Sequence, residues 1–175
     1  FDCAASPDGG AVVTGWHLGV IGFGSFLAVE PAGMYGFVAR FDQSGAFLWA
    51  HSISTSYYNN LQYPISCAID PAGNTFIAGR FMATLSLDGV ALLVNPDSMG
   101  TLLPYVLRFN SLGSLDWAQA VGWGPGPAYL QDMTVDAQGN VLVVGCRGDY
   151  HGALMKLDGS NGSPLLQVFA TDPVS

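Results

Sequence analysis

Apolar positions along this chain come in short runs, each interrupted by Gly, Asp, Asn, Ser or Pro. Nowhere do they sustain the period of a helix, so the pattern predicts strands and turns. The clearest stretch is Cys67-Ala-Ile-Asp-Pro-Ala-Gly-Asn-Thr-Phe-Ile-Ala-Gly79. It reads as a strand, a tight turn and a second strand. Asp and Pro suit the start of a turn, and Gly73 supplies the left-handed residue that returns the chain. The stretch recurs as Cys3-Ala-Ala-Ser-Pro-Asp-Gly-Gly-Ala-Val-Val-Thr-Gly15 and Met133-Thr-Val-Asp-Ala-Gln-Gly-Asn-Val-Leu-Val-Val-Gly145. Gly9, Gly73 and Gly139 are spaced by 64 and 66 residues. Repetition at this interval predicts units that cannot bury their apolar faces alone.

Each unit has a second recurring half. It is Phe37-Val-Ala-Arg-Phe-Asp-Gln-Ser-Gly-Ala-Phe-Leu-Trp49, then Tyr105-Val-Leu-Arg-Phe-Asn-Ser-Leu-Gly-Ser-Leu-Asp-Trp117. The third copy, Ala153 to Leu166, is one residue longer at its turn. Each half predicts a hairpin, so every unit offers four antiparallel strands. Four-stranded sheets repeated in this way are the layout of propeller blades. The predicted division is residues 1–54, 65–121 and 132–170, the third unit being short. Longer segments, Trp16 to Gly36 and Arg80 to Pro104, predict strand extensions or an extra hairpin in the first two units.

These residues resemble the β-propeller repeat of large secreted and surface bacterial proteins (the SBBP-like repeat), and are similar in layout to the NHL-type blade. The resemblance covers nearly the whole chain in three copies. It implies an all-β propeller built from four-stranded blades, with the Cys67–Asp70 strand innermost and the Leu115–Val121 strand outermost. Propellers close with about four to eight blades, so three make an incomplete ring. The expected partners are further blades of the same chain, or neighbouring copies in a ring or filament. The first and last sheets are each expected to expose an apolar face.

Composition narrows the function. Only 10% of the residues are charged, and among 13 acids only Glu30 is Glu, which disfavours helix further. A net charge of −8 argues against nucleic acid, whose phosphates would repel it. No apolar run reaches the length of a membrane span. Phe1 begins almost inside a strand, which reads as a mature fragment or an excerpt. Few Lys and many Asn, Ser, Thr and Tyr point to an extracellular or cell-surface protein. Cys3, Cys67 and Cys146 read as small apolar residues, with a disulfide as the alternative.

Candidate chemistry is sparse. The turns at Asp70 and Gly73, Asp136 and Gly139, Asp42 and Gly45, and Asn110 and Gly113 each hold too few oxygens for calcium. They read as turn chemistry. Asp158 to Ser163 is oxygen-rich but lacks the distal Glu of a calcium loop. No metal or cofactor is implied. The equivalent cations Arg40, Arg108 and Lys156 are expected to meet an Asp while their stems cover apolar surface. Trp49 and Trp117 are expected to be mostly buried between neighbouring blades. No nucleophile elbow, phosphate loop or zinc spacing is present, so no catalytic residue is proposed.

The most binding-like residues lie in the two linkers: Tyr57, Tyr58, Asn59, Asn60 and Tyr63 in one, Trp123 and Tyr129 in the next. Aromatic faces beside amides suit sugars. The competing reading is that these rings close gaps between units. Arg147-Gly148-Asp149 has the form of an integrin-binding tripeptide, and Asn161-Gly-Ser163 that of an N-glycosylation acceptor. The expected function is a non-catalytic extracellular propeller module with a structural, adhesive or assembly role. A carbohydrate-binding propeller, or a piece of an enzyme with its site in other blades, are the alternatives.

Overall fold

The computed structural model describes residues 1–56, 64–96, 101–124, 126–149 and 151–170, and the side chains of all of these except 30–34. Every regular element among them is a strand. The chain is all-β and antiparallel.

Three sheets follow one another. The first contains β1 (Asp2–Ala5), β2 (Ala11–Phe23), β3 (Phe26–Phe41) and β4 (Phe47–Thr55). The second contains β5 (Pro64–Ile69), β6 (Thr75–Phe81), β9 (Leu103–Phe109) and β10 (Leu115–Ala120), and the third β11 (Ala128–Val135), β12 (Val141–Arg147), β13 (Gly152–Leu157) and β14 (Pro164–Phe169). Within each set the strands run up and down in chain order. Between β6 and β9 lies a further hairpin, β7 (Thr84–Leu87) and β8 (Val90–Val94).

The recurring turns have one construction. Gly73 N–H donates to the Asp70 carbonyl at 2.9 Å and Asp70 N–H to the Asn74 carbonyl at 3.0 Å, with Gly73 at φ 82°. This is a type I turn closed by a left-handed glycine, a standard short hairpin link. The Asp70 carboxylate accepts from the N–H groups of Ala72 and Asn74, both at 2.9 Å. Asp136 accepts in the same way from Gln138 and Asn140, and Asp42 from Ser44 and Ala46. In these turns an Asp or Asn serves as the acceptor for turn amides, while in the first copy Ser6 holds that place and Asp8 accepts from Gly10 N–H at 3.0 Å. The repeat is therefore legible because local chemistry writes it.

The second sheet is the middle layer. β6 and β9 are buried almost throughout, because both of their faces are covered. On one side, Val12, Val38 and Ile53 of the first sheet pack on Ile77, Leu107 and Phe109. On the other, Phe76, Ala78 and Val106 pack on Val141, Val143 and Met155 of the third sheet. Of the first strands, β5 lies against both β1 and β11. The Asp2 carboxylate accepts from Cys67 N–H at 2.8 Å, and Ser66 Oγ donates to Asp132 at 2.9 Å.

Two arrangements differ from the reading of the sequence. The β7–β8 hairpin, inside the second unit by sequence, pairs with β4 of the first sheet through Ile53↔Leu87 and Thr55↔Leu85. An unpaired edge strand is a liability, and this hairpin covers it. Second, β2 and β3 run on as one long hairpin that folds back over the first sheet. The Phe23 ring at its tip lies 5.7 Å from that of Phe41, although Phe41 pairs with Ala11 at the far end of β2. A straight hairpin would separate them by roughly 40 Å. Gly19, at φ 70° beside a register shift, sits at the bend. The outer face of the first sheet, expected to be exposed, is thus covered by the chain's own hairpin. Among the described residues, the outer face of the third sheet has no such cover.

Candidate functional site

The polar chemistry gathers where adjacent sheets meet. Arg40 on β3 is buried, and its guanidinium donates to the Gly73 carbonyl of the next unit, to Ser6 Oγ at 2.8 Å and to Asp8 at 3.2 Å. With Pro7, Pro71 and Ser111 it forms the floor of a cleft of about 160 Å³ between the turns of the first two units. Its equivalents turn to their own sheets. Arg108 pairs with Asp116 at 2.9 Å and lies over the Phe76 ring, while Lys156 pairs with Asp136 at 2.7 Å. Together with the turn amides, the Lys156 ammonium holds the Asp136 carboxyl well below the usual range. All three cations meet an Asp, but they do not converge on one point.

Trp49 lies over the turn of the second unit: a Cβ added at Gly113 would stand 2.6 Å from its ring. Trp117 does the same to the third unit, at 2.9 Å from a Cβ at Gly162, and its indole N–H donates to the Gly159 carbonyl at 3.0 Å. Both rings are half-buried, less than the sequence suggested. β10 is a sheet edge, and β4 meets β7 only near its end, which leaves one side of each ring open to water. The contact itself repeats.

His51 was not singled out by the sequence. Its Nδ1 is 2.6 Å from the Asp88 carboxylate and its Nε2 is 2.7 Å from the Gly113 carbonyl, with its ring stacked on Phe109 at 4.9 Å. Both partners are acceptors, so the arrangement favours the doubly protonated ring. Burial works against that charge, but Asp88 and Gly113 more than offset it and raise the pKa. The Asp88-Gly89 turn, with both residues at positive φ (49° and 80°), was the available signal for a hairpin at this place. Its docking beside His51 was not legible. A raised folded-state pKa contributes stability fully below the unfolded value and loses it as pH rises through the folded value. The melting temperature should therefore fall as pH rises above about 6.5, the ordinary histidine value. His51→Gln should flatten that slope in a pH series of thermal melts. An unchanged slope would show that another group sets it.

The linker aromatics divide. Tyr57, Tyr58, Asn60 and Tyr63 lie outside the described residues. Trp123 is enclosed in the core between the second and third sheets, beside Val121, Ala128 and Leu130, with no ring face open to a ligand. Tyr129 is half-buried on β11. Arg147 of the tripeptide pairs with Asp149 at 3.4 Å and stacks on Phe169. Asn161 is exposed, its side chain accepting from Ser163 N–H at 2.8 Å. All three cysteines are free: Cys67 is buried, Cys146 half-buried and Cys3 exposed. The disulfide alternative is not formed, and burial together with the Asp2 carboxylate pushes the Cys67 thiol far up. Among the described residues no three His, Cys, Asp or Glu side chains gather as metal ligands would. Among the described residues no helix is long and apolar enough to cross a membrane. No family model matches this chain, and no curated protein matches it.

Proposed function

We propose that this chain is a non-catalytic extracellular module whose three sheets are successive blades of a β-propeller, and that its role is structural, in a surface protein or filament. The observation that carries this reading is the repeated contact between units. Trp49 covers the Gly113 turn and Trp117 the Gly162 turn, from equivalent positions opposite Arg40 and Arg108. Two sheets related in the same way to their successors are the property of an array. A non-catalytic role is supported by the acids, since Asp42, Asp70, Asp136 and Asp158 spend their oxygens on turn groups. Carbohydrate binding would rest on Tyr129 and the 57–63 segment, because Trp123 is enclosed. Saturable glycan-array binding, lost on Tyr58→Ala, would replace the structural reading with that one.

In an array, stability is nearly a sum of unit and interface contributions. A further copy of residues 64–121, fused through the 122–127 linker sequence behind residue 170, should therefore dock on the third sheet. It should raise the melting temperature by at least about 5 °C in a single transition. Two independent transitions, the first unmoved, would show that the units do not stack as blades.

A further inference from the structure

The outer face of the third sheet occupies a place that is covered in the other two. Register assigns the correspondence. Leu142 opposes Lys156 as Phe76 opposes Arg108 and Val12 opposes Arg40. Leu154 opposes Val168 as Val106 opposes Gln119 and Val38 opposes His51. Leu166 stands where Trp117 and Trp49 stand. Val12, Val38, Phe76 and Val106 are fully buried beneath the next sheet. On the third sheet Val144, Leu166 and Val168 are 42%, 50% and 47% exposed. Shallow apolar depressions lie among them, one formed with Leu142 and Leu154 and another with Ala153 and Phe169. This face is therefore a continuation of an interface already used twice within the chain.

The opposite end of the stack is also apolar. Folding back of the β2–β3 hairpin buries Ala28 and turns Phe23 inward, and it leaves Leu18, Val20, Leu27 and Val29 exposed in two adjacent rows. Within the chain, each sheet meets its successor through two different faces, never like against like.

We propose that this chain associates head to tail with a second copy of itself, the bare face of the third sheet packing on the folded-back β2–β3 hairpin of the next copy. The inference rests on the structural role proposed above and names the partner that role requires. A contact between two different faces propagates into a filament unless its rotation closes a ring. The rows are aliphatic on both sides, so the hydrophobic effect drives the contact. Among the described residues, two charged groups share the bare face and both already have partners: Lys156, between Leu142 and Leu166, pairs with Asp136, and Asp132, beside Leu142 and Val144, accepts from Ser66 Oγ. Since each copy carries a net charge of −8, added salt screens the repulsion and should tighten association.

The test uses the chain with either end blocked. Val144→Asp with Leu166→Lys blocks the bare face, and Val20→Asp with Leu27→Lys blocks the hairpin; all four positions are exposed, and circular dichroism checks the fold of each variant. In sedimentation velocity the unaltered chain should form species larger than a dimer as its concentration rises. Each variant alone should be a monomer, its self-association weakened more than about tenfold. Mixed, the two should form a one-to-one dimer that does not grow, since each supplies the end the other lacks. Should one pair of substitutions fail to fold, Val144→Thr or Val20→Thr alone must still weaken the polymer. A hairpin-blocked variant that dimerises by itself would show two bare faces pairing with each other and overturn the proposal. So would a mixture that stays monomeric, or an unaltered chain that is a monomer up to about 100 µM. Each of these would leave stacking within the chain standing, because the fused-unit experiment tests that separately.

Discussion

Trp117→Ala should lower the stability of this protein by about 3 kcal/mol, near the low end for an aromatic truncation because the ring is half-buried. Three losses combine. The ring packs on the cluster that joins the second and third sheets, it lies 6.1 Å from the Phe76 ring, and it covers the Gly162 turn. Its N–H also leaves the Gly159 carbonyl without that donor. For a chain of this length the change corresponds to a fall of about 6–12 °C in melting temperature. Trp49→Ala should cost somewhat less, since its N–H lies at 3.4 Å from the Ser111 carbonyl and contributes little. Denaturant melts of the two variants and of the double variant measure both. If the two costs add, the contacts are independent steps of one array, as their separation by a whole unit requires. A Trp117→Ala protein as stable as the parent would remove the contact on which the proposed architecture rests.

Gly145→Ala should be as damaging, by a different route. A Cβ at this position would stand 2.1 Å from the Tyr129 carbonyl oxygen and 2.4 Å from the buried Trp123 ring. One neighbour is backbone paired across the β11–β12 ladder, and the other is enclosed in the core, so neither can move aside cheaply. Overpacking of this kind costs about 3 kcal/mol, at the upper end of the ordinary range. The motif-equivalent Gly15 is the control. The three atoms nearest a Cβ there all belong to the ring of Phe1, a side chain 77% exposed that can move aside far more cheaply than a buried ring or a backbone carbonyl. Gly15→Ala should therefore be close to neutral in the same melts. Equal losses at both positions would mean that the motif glycine is required by strand geometry rather than by its neighbours.

The contrast between those two glycines marks the limit of what the sequence determined. Strand, turn and strand were legible in Cys67 to Gly79 because the determinants are local: a carboxylate that accepts nearby amides, and a glycine free to take positive φ. The same holds for the recurrence of these hairpins and for the Trp positions, which repeat with the turns. What a strand packs against depends on residues far away in the chain, and periodicity carries no record of it. That β7–β8 completes the edge of the preceding sheet was decided by β4, which had hydrogen-bonding groups to satisfy. That Trp123 is enclosed rather than offered to a ligand was decided by the closing of two sheets around it. The fold-back of the β2–β3 hairpin was the least foreseeable, since one bend at Gly19 moves a whole row of aliphatics from one face of the molecule to another. Local chemistry wrote the strands and turns; long-range burial decided which faces remained open, because only the assembled sheets determine where water is excluded.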